Sequence, residues 1–509
     1  MLFNSFEFIF GFLPVALMVF FLLGRMNRKL AAAWLALASL LFYGYWSPKY
    51  VPLLLAAVSF NYFCGRAIAK RAGTKSGRTL LTASIVADLV LLGFYKYADF
   101  FLSSVNGIAH THLQLLRIVL PIGISFFTFT QIAFLVDCYK RVAREYSFSH
   151  YLLFVSYFPH LIAGPILHHT EIMPQFASVT PYRPSARLFA IGLTVLTIGL
   201  AKKILIADNF ADYAIPVFTA AHDGVPIRLV AAWVGSIAYT FQLYFDFSGY
   251  TDMAIGLSKL FGVDLPINFF SPYKSTNIIE FWRRWHMTLS RFLRDYLYFP
   301  LGGNRKGRLR RCVNLMITML LGGLWHGANW TFVVWGGLHG IYLLINHGWQ
   351  SVRPPSNPPA LLGKFFSSAM TFLAVVVGWV FFRAEDFRTA TNILRGMIGF
   401  NGIAMQNQSG GLWAALTHLI PQLSITSEGA LDNIATPGRL EIEALLLIGA
   451  LVVWTMPNTQ QIAERLEAVF SSSDVPFFYR RAVPALAGLL LALALLQMEK
   501  VSEFLYFQF

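Results

Sequence analysis

Charge is scarce in this sequence. Asp, Glu, Lys and Arg make up 13% of its 509 residues, about half the share of a water-soluble globular protein (roughly 25%). A fold that presents a charged surface to water on all sides is therefore excluded. Cysteine is scarcer still: Cys64, Cys138 and Cys312 are the three present, set in or beside apolar stretches without paired spacing. They supply neither a disulfide framework nor a thiolate metal site, which leaves packing as their reading. The histidines lack an i, i+4 arrangement with a carboxylate, so no metal centre is expected. His168 and His169 are adjacent and are expected to point apart. A phosphate-binding glycine loop and a G-x-S-x-G nucleophile elbow are also missing. No internal repeat or inverted symmetry is visible, which weighs against a secondary transporter.

Apolar residues are what the chain has in abundance: 56% hydrophobic and 16% aromatic, with mean hydropathy +0.57. That composition predicts an all-α polytopic membrane protein. Apolar runs recur from Phe8–Leu23 to Val483–Leu496 and include Leu115–Val136, Tyr151–Leu167 and Leu229–Phe247. Several fall short of the roughly 20 residues that a perpendicular span needs. Short, glycine-interrupted runs point to re-entrant or partly buried helices, so about eleven to thirteen membrane-associated helices are expected. The opening "MLFNSFEFIFGFLPVALMVFFLLGR" lacks a basic start and a small-residue cleavage site and reads as a retained first span.

The net charge of +15 comes from short basic loops such as "RMNRK", "RAIAKRAGTKSGR" and "KRVAR". Such loops mark the cytoplasmic side and make nucleic acid an unexpected partner. The N-terminus is then expected outside the cytoplasm. Lys49 and Lys96 break the pattern. The basic stretch Ser248–Arg311 fits alternation only if a run between Tyr151 and Phe247 is re-entrant. The polar tract Asn401–Pro437 is expected to be an extracytoplasmic loop.

Polar residues inside apolar runs single out candidate sites. In "YFDFSGYTDMAIGL", Asp246, Ser248, Tyr250 and Asp252 fall between two apolar runs and either face a substrate or serve as caps and ion-pair partners. In "NIIEFWRRWHMTLSRFLRDYLYF", Asn277 and Glu280 have capping-box spacing. Ile278, Trp282, Trp285, Leu289, Phe292 and Tyr296 then form one helical stripe, with Arg284, Arg291 and Arg294 on the other side and the helix resting in the interface. His286, beside the stripe, is a catalyst or a packing residue. In "LLGGLWHGANWTFVVWGGLHG", His326 lies within an apolar run among glycines that permit a helix break and a close substrate approach. An imidazole there suits a general base, with packing as the alternative. Trp325 and Asn329 flank it as candidate substrate contacts. His339 would be turned away from His326 on an unbroken helix and reads as support.

"LWHGANWTFVVWGGLHG", "FWRRWHMTLSRFLRDYLYFPLGGNR", "LYFDFSGYTDMAIGL" and "YFPHLIAGPI" together resemble the membrane-bound O-acyltransferase family. They are most similar to its bacterial branch that acetylates exported polysaccharides such as alginate and peptidoglycan. The resemblance runs from Met1 to about Phe382. It implies one integral-membrane domain over 1–509, with a core of about 1–382 and C-terminal spans and tail over 383–509. It implies a curved helical bundle around a funnel in the bacterial inner membrane. An acyl thioester, acetyl-CoA, would enter from the cytoplasm, with no bound cofactor. The implied partners are an exported polysaccharide, a periplasmic SGNH-hydrolase-like acetyltransferase and membrane lipid. The family's membrane histidine maps onto His326 and its second histidine region onto Trp285–His286.

The tail "EFLYFQF" has part of an engineered protease site. Phe509 stands where Gly or Ser should follow, and Phe504 replaces the usual Asn. The tail instead resembles the F-x-Y-x-x-F end of the small partner peptide in the related D-alanylation system. That resemblance implies that Tyr506 carries the acyl group transiently, with the tail extracytoplasmic and folded back into the funnel. An aromatic anchor at the membrane interface is the alternative. For the whole chain, the competing functions are a transporter or export-channel component, and a lipid or protein acyltransferase of the same superfamily.

Overall fold

The computed structural model describes residues 1–143, 147–352, 361–402, 439–471, 476–498 and 504–505. Regular structure among the described residues is helical throughout, with no strand. Among the described residues, six helices are long and apolar enough to cross a membrane: Glu7–Met26, Pro48–Lys70, Lys75–Ala109, Ala186–His222, Leu361–Arg383 and Phe477–Leu496. Glu441–Thr455 and Thr459–Ser471, bent by 51° at their junction, add a seventh if they act as one span. The other helices among the described residues are shorter or more polar. Leu115–Val136 is helical only from Ile124, and Tyr151–Leu167 is split into helices of nine and four residues.

The helices sort by how much of their apolar surface other helices cover. Only 22% of the apolar window is buried in Glu7–Met26 and in Lys75–Ala109, against 56% in Ala186–His222. The first two therefore form a rim whose apolar sides suit hydrocarbon, and the third belongs to the interior. At the centre stands the helix Leu229–Leu260, in which every residue from Ala238 to Ser258 is buried. A helix buried on all faces needs partners for its polar residues, and this one carries Asp246, Ser248 and Asp252. The expected interruption near Ser248 is absent, because the helix continues to Leu260.

Small residues set the closest helix contact. Ala186–Ala201 crosses the central helix at two reciprocal glycine pairs. A Cβ added to Gly199 would lie 2.6 Å from the Gly249 carbonyl, and one added to Gly192 would lie 2.8 Å from the Gly256 carbonyl. Close backbone approach at small residues is the usual device for packing helices inside a membrane. Just beyond the crossing, the π-helical turn Lys202–Ala207 carries two lysines that meet the central carboxylates. Lys202 Nζ is 2.6 Å from Asp252 Oδ2, and Lys203 Nζ is 2.7 Å from Asp246 Oδ1.

The expected stripe from Ile278 to Tyr296 is broken. Asn277 starts the helix as foreseen, its side chain accepting from the Glu280 N–H at 2.9 Å, but the helix stops at Trp282. It restarts at Met287 after His286 adopts φ 43, ψ 52, a left-handed conformation that is unfavourable for a side chain with a Cβ. Periodicity could not show this, because Trp285 and Leu289 keep apolar spacing across the break. Both are buried, and Arg291 is paired with Glu171 across the fold at 2.6 Å rather than lying along one uninterrupted polar face.

Candidate active site

The helix Gly307–His326 ends at His326, and Gly327 is extended at φ −155, ψ 147. The chain turns within three residues and re-enters a helix at Trp330. Gly323 and Gly336 let the two helices touch, since a Cβ on either would lie 3.2 Å from the other's Cα. This hairpin brings Trp335 back beside His326, with ring centroids 5.1 Å apart and nearly perpendicular at 87°. Phe382 closes another side at 5.2 Å, and Trp325 lies at 5.0 Å. His326 is 5% exposed. A buried imidazole among indoles and a phenyl ring sits where bulk water is excluded, which strengthens any electrostatic interaction with a reacting group.

The end of this helix is held by residues from the Lys75–Ala109 helix. Lys96 Nζ donates to the carbonyls of Trp325 (2.6 Å) and His326 (3.1 Å), and Tyr97 Oη donates to that of Leu324 (3.0 Å). The last carbonyls of a helix lack partners within it and carry the negative end of its dipole. A lysine that caps them fixes where the His326 ring leaves the helix. Lys96, an exception to the basic-loop pattern in the sequence, is thereby explained.

The ring of a second histidine, His286, lies 6.2 Å from that of His326. Its Nδ1 lies 3.1 Å from Asn268 Oδ1. The same oxygen accepts from the Thr288 N–H (3.2 Å) and Oγ1 (2.8 Å), while Thr288 Oγ1 accepts from the Ile166 N–H (3.0 Å). An atom that receives a main-chain N–H is an acceptor, so His286 Nδ1 must be the donor. That fixes the tautomer and leaves a lone pair on Nε2, which is buried and has no hydrogen-bond partner among the described residues. Phe247 stands edge-on against the ring at 4.9 Å.

His339 has the opposite arrangement. Trp282 Nε1 donates to its Nδ1 at 3.3 Å, so the proton of neutral His339 sits on Nε2. The ring lies parallel to Phe281 (6.1 Å, 17°) and 4.9 Å from Trp335. The expectation that His339 turns away assumed one helix. The break at Gly327 instead places it on the returning arm, behind the tryptophan that touches His326. Its ring packs against that tryptophan.

The remaining sequence candidates fall in several places. Trp325 is buried and stacked on Phe129 at 5.1 Å. Asn329 is used in the turn: its Oδ1 accepts from the Thr331 N–H, and its Nδ2 donates to the Glu385 carbonyl. Asp246 and Asp252 are ion-paired, and Asp252 also accepts from Thr459 Oγ1 (2.6 Å) and Gln460 Nε2 (3.1 Å). Ser248 Oγ is buried without a hydrogen-bond partner among the described residues. The Tyr250 ring packs on Phe3 and Phe504. His168 and His169, expected to diverge, both reach one network: His169 Nδ1 is 3.2 Å from Asp137 Oδ2, Tyr296 Oη donates to that oxygen at 2.9 Å, and His168 Nδ1 lies 3.1 Å from Tyr296 Oη.

Tyr506 lies outside the described residues. Its two neighbours on the N-terminal side, Phe504 and Leu505, are 1% and 6% exposed. Sequence reasoning missed Asn268, Trp335 and Phe382. A lone asparagine in "LPINFFSPY" was a usable signal for the first, whereas the two rings are named only by the helices that carry them.

A helical membrane bundle with a buried histidine at a helix break defines a class, and comparison with known proteins identifies it. The pattern of MBOAT, the membrane-bound O-acyltransferase family, matches residues 89–376. The chain belongs to this family and is a multi-pass membrane acyltransferase. It is 45% identical over 432 residues to the peptidoglycan O-acetyltransferase of Helicobacter pylori, covering 80% of this chain and 81% of that one. It is 38% identical to the probable alginate O-acetylase AlgI of Azotobacter vinelandii over the whole of both chains. It is also 30% identical to the teichoic acid D-alanyltransferase of Streptococcus thermophilus, over 46% of this chain and 59% of that one.

Proposed function

We propose that the protein transfers an acetyl group from acetyl-CoA on the cytoplasmic side to an exported cell-envelope polysaccharide, with His326 as general base and Tyr506 as transient acyl carrier. The observation that carries this reading is the enclosure of His326: an imidazole at a helix break, walled by Trp325, Trp335 and Phe382, with a second histidine of fixed tautomer beside it. The names of the relatives supply the acceptor class. Peptidoglycan and alginate acetylation in two of the names and teichoic acid D-alanylation in a third share one chemistry: acyl transfer to a polymer.

In the first step, the Tyr506 hydroxyl gives its proton to His326. The phenolic oxygen forms a bond to the thioester carbonyl carbon, the carbon–sulfur bond breaks, and the departing thiolate takes a proton from the imidazolium. The products are an acetyl-tyrosine ester and free CoA. A free phenol, with a pKa of about 10, is a weak nucleophile at neutral pH, and an adjacent base overcomes this. Its ester remains activated, so a hydroxyl of a periplasmic SGNH-hydrolase-like partner or of the glycan can take the acetyl group and restore the tyrosine. On this reading the tail and the N-terminus lie outside the cytoplasm in the inner membrane, and the acetyl group crosses without its donor.

Purified protein tests the first half. Wild type should release CoA from acetyl-CoA, and a folded His326→Ala variant should be slower on the order of a hundredfold or more. Equal turnover by the two proteins would remove His326 from the chemistry.

A further inference from the structure

The short segment Phe504–Leu505 is buried and contacts residues far from it along the chain. The Leu505 N–H donates to Asp246 Oδ2 at 3.0 Å. The other oxygen of the same carboxylate, Oδ1, takes the Lys203 ammonium at 2.7 Å, and that ammonium also reaches Asp208 Oδ1 at 2.9 Å. Lys203 further lies 4.9 Å from the centroid of the Phe504 ring, which stands edge-on to Tyr250 at 4.9 Å and 84°. Phe504 belongs to one of the two apolar clusters of the core and Leu505 to the other. The dipeptide therefore straddles the boundary between them.

We propose that the Lys203–Asp246 ion pair is a latch that holds the 504–505 segment in the core by its main chain, so that the tail is presented from a fixed anchor. A buried ion pair recovers its desolvation cost only when its remaining hydrogen-bonding capacity is used. A buried main-chain N–H likewise needs an acceptor. Each satisfies the other here, and the cation adds an attraction to the phenyl ring. The anchor adjoins the candidate active site along the central helix: Asp246 is followed by Phe247, whose ring rests on His286. In its functional consequence this latch rests on the proposed carrier role of Tyr506, the next residue in the chain. The contact itself does not.

An anchor made through the main chain has a distinctive signature, because the identity of the side chain at 505 matters less than the presence of an N–H. Leu505→Pro removes that donor and leaves Asp246 and Lys203 intact. Leu505→Ala keeps the donor and removes most of the side chain. Three full-length variants, with Tyr506→Phe as the third, are to be compared with wild type. One readout is hydrogen–deuterium exchange of the 498–504 peptide in purified protein, and the other is acetylated polymer in cells.

The latch predicts exchange about tenfold faster in Leu505→Pro, with a matching loss of acetylation, and near wild-type values for Leu505→Ala. Tyr506→Phe should exchange as slowly as wild type while losing acetylation. If Leu505→Pro exchanges no faster than wild type, or if Leu505→Ala is as fast as Leu505→Pro, the main-chain latch is overturned. Retained acetylation in Tyr506→Phe, with fast exchange in Leu505→Pro, keeps the latch and overturns the carrier role.

Discussion

The rings of His286 and His326 lie 6.2 Å apart, centroid to centroid, and come from two different interruptions of helical structure. His326 ends one helix before an extended glycine, and His286 breaks another through a left-handed backbone of its own. Strained backbone held in place by its surroundings recurs at functional sites. The pairing gives the site two imidazoles, one of which has a lone pair directed by Asn268.

Asn268 is predicted to act through His286. Asn268→Ala removes the acceptor for His286 Nδ1 and leaves the Thr288 N–H without its partner, at a cost of about 1–3 kcal/mol. Acetyl-CoA turnover per folded protein should fall about tenfold or more. In a His286→Ala background the same change should add little, because two residues acting as a unit are not additive. The double-mutant cycle on purified protein measures this. Additive losses would mean that Asn268 acts elsewhere.

Lys96 is predicted to position the end of the His326 helix. Lys96→Met leaves the Trp325 and His326 carbonyls without their cap and should lower kcat while changing KM for the thioester little. Lys96→Arg should restore part of the activity, since a guanidinium still donates to two carbonyls. Steady-state kinetics with separate kcat and KM decides the point. An effect confined to KM would assign Lys96 to donor binding instead.

The glycine crossing is predicted to be critical for stability. Gly199→Leu forces a side chain against the Gly249 carbonyl and Met253, which also pushes Lys203 from Asp246. Overpacking of this kind costs about 1–3 kcal/mol, and loosening the buried ion pair adds to it. Gly11→Ala, where a Cβ meets nothing within 4 Å, is the control. Thermal unfolding in detergent should show a marked drop for the first variant and almost none for the second.

What could be read from the sequence follows the range of the interactions involved. The membrane class and the helix start at Asn277 were legible from composition and local spacing. The glycines around His326 permitted a break without requiring it, and the expectation for His339 assumed that the helix ran on. The break at His286 was not legible, because Trp285 and Leu289 keep apolar spacing across it. The carboxylates at 246 and 252 stood out as costly, but their lysines belong to another helix and nothing local names them. Trp335 and Phe382 meet His326 only through folding, as the 504–505 segment meets Asp246 and Tyr250. Their distance along the chain hides them from any reading of periodicity.

The most direct test of the proposed function is mass spectrometry of the C-terminal peptide after brief exposure of purified protein to isotope-labelled acetyl-CoA. The account predicts one labelled acetyl group on Tyr506 in wild type, none in His326→Ala, and none in Tyr506→Phe. An unlabelled Tyr506 in wild type, together with undiminished polymer acetylation by Tyr506→Phe in cells, would contradict it.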